Sequence, residues 1–152
     1  MEMKKTFICL ITGPAGSGKS SVSKALAEKF ERSAVIEVDT LRHIIKGGYA
    51  RPWPRSEEAD DQLLLAVENA CDIGDNLLAK NFAVFIEDVV REKFLQKYSD
   101  HFKDNNFKAF LILPSVESLL ARFDNRGDDK ELRLRTIELH KKFLEKRDTL
   151  NW

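Results

Sequence analysis

Eight consecutive residues, Gly13-Pro14-Ala15-Gly16-Ser17-Gly18-Lys19-Ser20, set glycines, a lysine and a hydroxyl at the spacing G-x-x-x-x-G-K-[ST]. Glycines let a backbone wrap an anion. A helix starting at the lysine aims its free N–H groups and the positive end of its dipole at the same anion. Lys19 is placed to neutralise the outer phosphates of a nucleoside triphosphate such as ATP, and the Ser20 hydroxyl to ligate Mg²⁺. The expected nucleotide contacts are therefore Gly13, Ala15, Gly16, Ser17, Gly18, Lys19, Ser20 and Ser21.

A phosphate donor needs an acceptor side. In open parallel sheets, ligands gather at the carboxyl ends of the strands, so acidic residues there are the ones to inspect. The second apolar run ends at Asp39 and the third at Glu87-Asp88. A carboxylate near the terminal phosphate can take the proton of an attacking hydroxyl, and another can organise Mg²⁺ or its waters. We expect Asp39 to be the base, Glu87 or Asp88 to be the metal-side carboxylate, and Asp88 also to lie near the acceptor. Arg42 follows Asp39 by three residues, one helical turn, and faces the same pocket. Its expected task is to hold an anionic or hydroxyl-rich acceptor. Tyr49, Arg51 and Trp53 lie in Gly47-Gly48-Tyr49-Ala50-Arg51-Pro52-Trp53-Pro54, where an aromatic platform beside a cation can clamp a ring or sugar.

Arg122, Arg126, Arg133 and Arg135 surround a polar break at Asn125-Arg126-Gly127-Asp128-Asp129. An arginine arriving on a mobile lid can stabilise charge spread over a transferring phosphoryl group while closure excludes water. Arg126, beside the glycine, is the first choice for this catalytic role, with Arg122 and Arg133 next. Asn125 to Asp128 also looks like a loose guanine-reading NKxD motif, but a helix rather than a strand precedes it.

The elements that must carry these residues alternate along the chain, the pattern of an α/β domain with a parallel sheet. Strands are expected at Thr6 to Thr12, Ala34 to Val38, Phe82 to Ile86 and Phe107 to Leu113. Helices are expected at Lys19 to Phe30, with Val22, Ala25, Leu26 and Phe30 on one face, at Glu57 to about Lys80, near Glu92 to Lys103, after Pro114-Ser115, and from about Lys130 to Arg147. Ser56 and Ser115 are the expected caps. The whole reads as one domain over 1–152, with an acceptor-side loop about 47–56 and a lid about 122–135.

Composition narrows the class. The 152 residues balance 25 Lys+Arg against 25 Asp+Glu, which disfavours a nucleic-acid partner bound through an extended basic stripe. The longest apolar runs, such as Leu63 to Val67, fall far short of the roughly 20 residues of a membrane span. Two cysteines, Cys9 and Cys71, are too few for a disulfide framework, and a cytoplasmic location is the default. His43, His101 and His140 lack metal-ligand spacing.

With these parts placed, the chain resembles the small P-loop kinases of the nucleoside-monophosphate-kinase-like group, especially the chloramphenicol-phosphotransferase-like and gluconate- or shikimate-kinase-like proteins of the AAA domain family. The residues carrying the likeness are Gly13 to Ser20, Asp39-Thr40-Leu41-Arg42, Gly47-Gly48-Tyr49 with Pro52-Trp53, Glu87-Asp88, and Arg122 with Arg126. It is similar also to polynucleotide kinase domains, through Asp39/Arg42 and Arg126-Gly127. The resemblance implies a three-layer α/β/α P-loop NTPase fold with strand order 2-3-1-4-5, ATP with Mg²⁺ as donor, and transfer to an alcohol. The sequence offers no fifth strand after the last helix. The expected function is transfer to the hydroxyl of a small molecule such as a sugar acid or antibiotic-like alcohol. The alternatives are a polynucleotide 5′-hydroxyl kinase and a nucleotide-binding switch or interaction domain without an acceptor.

Overall fold

The computed structural model describes residues 6–127 and 130–150, and Arg126 by its backbone alone. Asp128 and Asp129, part of the expected polar break, lie outside the described residues. Four parallel strands, β1 (Ile8–Thr12), β2 (Ser33–Glu37), β3 (Ala83–Asp88) and β4 (Phe107–Leu111), form one sheet in the order β2-β3-β1-β4. Around them run α1 (Lys19–Ala27), α2 (Val38–Arg42), α3 (Glu57–Leu78), α4 (Glu92–His101), α5 (Val116–Arg126) and α6 (Lys130–Lys146). This is the expected three-layer α/β/α arrangement.

A sheet covered on both faces needs strands that are apolar throughout, and β1 is buried at all five positions. Alternation then sorts its side chains. Ile8 and Leu10, with Val84 and Ile86 of β3, pack under α3 and α4 among Ala66, Ala70, Phe94 and Phe102. Cys9 and Ile11, with Ala83 and Phe85, pack beneath α1 against Ala27 and Leu26. Each fully buried aliphatic or phenyl side chain contributes roughly 1.5–3 kcal/mol. Gly74 lets α3 approach this core: a Cβ there would lie 3.0 Å from Phe102 and 3.1 Å from Ile8.

Ser56 and Ser115 cap α3 and α5 by accepting from the Ala59 and Ser118 amides at 3.0 and 3.2 Å. Several boundaries differ from expectation: β1 starts at Ile8, β4 ends at Leu111, and three further differences lie at the site. β3 continues through Glu87 and Asp88, whose register partners on β1 are Ile11 and Thr12. β2 ends at Glu37, so Asp39 stands in the first turn of α2 rather than at a strand end. An acid is favourable there because it faces the positive end of the helix dipole. The first helix stops at Ala27, and its inward face is Ser23, Leu26 and Ala27; Val22, Ala25 and Phe30 are exposed. Ser23 is buried against the Glu87 carboxylate, and Phe30, although 40% exposed, still packs against the Phe7 and Phe85 rings.

Candidate active site

The loop between β1 and α1 has the conformation that its glycines permit. Gly13 has φ 151°, and a Cβ on it would fall 2.2 Å from the Ile112 carbonyl oxygen. Gly18 caps α1 at φ 101°. The Ser17 amide donates to the Pro14 carbonyl at 3.1 Å, closing the turn. The buried Ser17 Oγ has no hydrogen-bond partner, an arrangement that costs about 1–3 kcal/mol unless a ligand oxygen supplies one. Ala15 and Gly16 line the loop half-buried, and Ser21 is exposed on the first turn of α1.

Lys19 Nζ lies across this loop, donating to the carbonyls of Gly13 and Pro14 at 3.1 and 3.0 Å. Burial lowers its pKa from the ordinary value, while Glu87, Asp88 and Asp39, in that order, raise it. All three predicted acids therefore act electrostatically on one ammonium.

The alternation of β3 separates the two adjacent carboxylates. Glu87 shares the α1 face with Phe85. Ser20 Oγ donates to its Oε2 at 2.8 Å, and Ser23 Oγ donates to its Oε1. Asp88 shares the α4 face with Ile86, and the Tyr98 hydroxyl donates to it at 3.1 Å. Burial pushes the Asp88 carboxyl up to about 6 against the pull of Tyr98, Lys19, the Val89 amide and Arg42. The chain leaves β3 under control, because the Val90 amide donates to the fully buried Thr12 Oγ1 at 3.0 Å.

Among the residues expected on an acceptor side, Arg42 is 8% exposed and donates through Nη2 to Asp39 Oδ1. The Asp39 carbonyl meets His43 Nδ1 at 2.6 Å. The His43 ring stacks on Tyr49, whose hydroxyl lies 3.2 Å from Nε2. Arg51 is exposed, and the Trp53 ring lies 5.2 Å from the Arg135 guanidinium. Gln62 fastens this loop from below, accepting from the Ala50 amide and donating to the Gly48 carbonyl, both at 2.8 Å.

The arginines expected on a lid separate. Arg122 Nη1 donates to the Gly16 carbonyl at 2.7 Å, on the loop between β1 and α1. Arg133 is paired on the surface with Asp124 at 3.0 Å. Arg126 ends α5 ahead of Gly127 at φ 70°; its side chain lies outside the described residues. Arg135, the remaining arginine of this group, lies against Trp53 of the 47–56 loop.

Sequence reading missed Ser23, Gln62, Arg91 and Tyr98. Gln62 did leave a signal: it interrupts the apolar stripe Ala59, Ala66, Ala70 of α3. Ser23 stands one turn beyond Ser20 on the same face. For Arg91 and Tyr98 nothing local distinguishes them from an ordinary cap and a core aromatic.

The donor set fits a nucleotide with a hard cation. Among the described residues no group of three or more His, Cys, Asp or Glu could cage a metal alone. Ser20 and Glu87 form a partial oxygen shell of the kind Mg²⁺ completes with waters and phosphate oxygens.

A family model described as an AAA domain matches residues 9–142. No curated protein sequence matches the chain. In fold it is similar to a gluconokinase from Sinorhizobium meliloti 1021, with TM-score 0.62 and 20% identity over 89% of this chain and 75% of that one. It is similar also to shikimate kinase from Acinetobacter baumannii, crystallised with shikimate, with TM-score 0.59 and 18% identity over 91% and 76%. A chain of the Pnkp1/Rnl/Hen1 complex matches with TM-score 0.57 and 14% identity over 77% of this chain. The present chain spans 38% of that longer chain.

Proposed function

The chain belongs to the AAA domain family, and within it we propose an ATP- and Mg²⁺-dependent phosphotransferase that moves a γ-phosphoryl group to the hydroxyl of a small molecule. The observation that carries this reading is the 2.8 Å hydrogen bond from Ser20 to Glu87, which joins the hydroxyl of the nucleotide loop to a strand-end carboxylate. Ser20 and Glu87 would hold Mg²⁺, which would supply neutralisation of the phosphate charge.

The chain's own residues do the rest by position and charge. The backbone from Gly13 to Ser20 cradles the phosphates, with Ser17 Oγ as an added partner and Ala15 and Ser21 at the rim. Lys19 exchanges its loop carbonyls for phosphate oxygens. Arg122 braces the loop from α5 and contacts the nucleotide, and Arg126 is assigned the charge on the transferring group. The acceptor oxygen attacks phosphorus, its proton passes to Asp39, and ADP leaves. Arg42 fixes the Asp39 carboxylate, and Tyr49 and Trp53 form the wall against which the acceptor rests. Asp88 sits at the acceptor edge of the same cluster.

A second reading, transfer to a polynucleotide 5′-hydroxyl, draws support from the likeness to the Pnkp1/Rnl/Hen1 chain. The balanced charge of the chain favours the small acceptor. ATP consumption measured with and without an alcohol panel tests the reading. Stimulation by a sugar acid or related alcohol is expected, whereas steeply salt-dependent, nanomolar oligonucleotide binding selects the polynucleotide reading. Hydrolysis that no alcohol or oligonucleotide stimulates makes the chain a nucleotide switch.

A further inference from the structure

The sheet has two outer strands, β2 and β4, and among the described residues no strand pairs with the far side of β4. One bond sorts the backbone of β4: the Ile112 amide donates to the Thr12 carbonyl at 2.8 Å, next to the register pair of Thr12 with Leu111. In a strand the amide and carbonyl of one residue point to the same side, and the side alternates from residue to residue. Lys108 and Phe110 therefore turn theirs to β1, while Phe107, Ala109 and Leu111 turn theirs away from the sheet. Side chains alternate as well. Phe107 and Ala109 pack into the core under α3 and α4. Lys108 is exposed, and Phe110, at 56%, is the most exposed large apolar side chain on any described strand.

An outer strand with unpaired main-chain groups is a template for a further strand, and a lysine on it ordinarily guards against pairing. On β4 that guard depends on register. When two copies of Phe107-Lys108-Ala109-Phe110-Leu111 run antiparallel about a two-fold axis through Ala109, each Lys108 faces Phe110 of the other copy. This is a non-hydrogen-bonded position, where opposed side chains approach most closely. The lysine stem lies along the ring and its ammonium meets the ring face. Ala109 pairs with its own counterpart and Phe107 with Leu111, so the outward amides and carbonyls of both strands are used, in about six bonds. Moving the axis to Lys108 sets lysine against lysine and leaves Leu111 beyond the end of the partner strand. The sequence of β4 is thus complementary to itself in the register that uses its whole length.

We propose that the open edge of β4 is an interface for a second copy of this chain, paired antiparallel about Ala109 so that two sheets join into one. The contact uses the same surface on both copies and therefore closes at two. A pair of such short strands buries less than the roughly 1,600 Å² of a standard interface, so the dimer is weak and concentration-dependent. The proposal is independent of the phosphotransferase reading.

Sedimentation of the full chain from micromolar to near-millimolar concentration tests it. The chain is expected to pass from monomer to dimer, and amide exchange at Phe107, Ala109 and Leu111 to slow over the same range. Phe110→Lys sets like charges across both symmetry-related pairs and is expected to weaken the dimer roughly tenfold or more. Adding Lys108→Glu to that variant puts unlike charges opposite each other and is expected to restore the dimer. Phe110→Thr, which keeps strand propensity without ring or charge, gives an intermediate loss and guards against a folding defect in the lysine variant. Thermal unfolding of each monomer checks the fold, which exposed positions such as these leave intact. A parent that stays monomeric overturns the proposal, whether or not β4 captures an unrelated extended peptide. A dimer that Phe110→Lys leaves intact overturns it too, because the contact then lies elsewhere. Failure of Lys108→Glu to restore the dimer overturns the antiparallel register about Ala109.

Discussion

Glu87 and Asp88 are adjacent in sequence yet serve opposite faces of the sheet: Glu87 accepts from Ser20 at 2.8 Å beneath α1, and Asp88 accepts from Tyr98 at 3.1 Å beneath α4. The cause is the two-residue period of a strand, which β3 maintains to its last residue. Either acid could have stood on the metal side as long as the strand was read to end at Ile86. Once β3 extends to Asp88, only Glu87 points at the helix that carries Ser20.

Glu87→Gln is expected to lower Mg²⁺-dependent turnover by roughly a hundredfold, the scale of losing one preorganised charged partner. Nucleotide binding without Mg²⁺ is expected to survive. Ser23→Ala removes the second donor to the same buried carboxylate and is expected to cost about 1–3 kcal/mol of stability. Nucleotide titrations with and without Mg²⁺, and urea unfolding, check the pair. Equal Mg²⁺ dependence in Glu87→Gln and the parent would remove Glu87 from the metal side.

Asp88 predicts an unusual pH profile for the metal-free protein. Its carboxyl is pushed up to about 6 in the folded chain, against about 3.9 for an unfolded aspartate. Between these values the folded state keeps a proton that the unfolded state releases. Its stabilising contribution is therefore complete below about pH 4 and is lost as pH rises through 6, on the order of 3 kcal/mol in all. Asp88→Asn, which can still accept from Tyr98, is expected to be more stable than the parent at pH 7 and nearly flat from pH 5 to 7. Thermal unfolding across that range is the measurement; a parent that gains stability from pH 4 to 6 while Asp88→Asn does not would contradict it.

Lys19 and Asp39 separate binding from chemistry. Lys19→Ala is expected to abolish transfer and weaken nucleotide binding, because the ammonium lies on the loop itself. Asp39→Asn keeps the hydrogen bond to Arg42 but cannot take a proton. Nucleotide affinity should be unchanged while turnover falls roughly 10²–10⁴-fold, the range for removal of a general base. Full activity in Asp39→Asn would exclude it as the base.

Much of this arrangement was readable from local signals. The loop from Gly13 to Ser20 was legible because its glycines, lysine and hydroxyl are each required by one backbone shape. The sheet order followed from the resemblance that these residues carry. The position of Asp39 was misread because Val38 belongs equally well to a strand or to a buried helical turn, and only the early end of β2 decides. On the face of α1, Leu26 packs inward and Phe30 meets Phe7 and Phe85 as expected, but Val22 and Ala25 were misread for a different reason. Polar Ser23 is buried because Glu87, distant in sequence, binds it, and hydropathy periodicity cannot register that. Arg135 was legible only as one of several arginines near Gly127. What distinguishes it is Trp53, brought against α6 by the tertiary fold.

Gln62 gives a test of whether the acceptor wall is preorganised. Its side chain is 7% exposed on α3 and bonds the Ala50 amide, the Gly48 carbonyl and Glu58. It thereby holds the segment between Tyr49 and Trp53, which has no regular structure of its own. Gln62→Leu fills similar volume with an apolar group and leaves the Ala50 amide and Gly48 carbonyl to find water. If Tyr49 and Trp53 bind acceptor, releasing their loop adds ordering cost to acceptor binding alone, about 0.5–1.5 kcal/mol for each side chain that must be immobilised anew. The acceptor KM should then rise roughly tenfold, with ATP KM unchanged, because the nucleotide loop is anchored elsewhere. A variant that loses stability but keeps the acceptor KM would make Gln62 a purely structural support. One that raises both KM values together would show that the two loops are coupled through α2 rather than held independently.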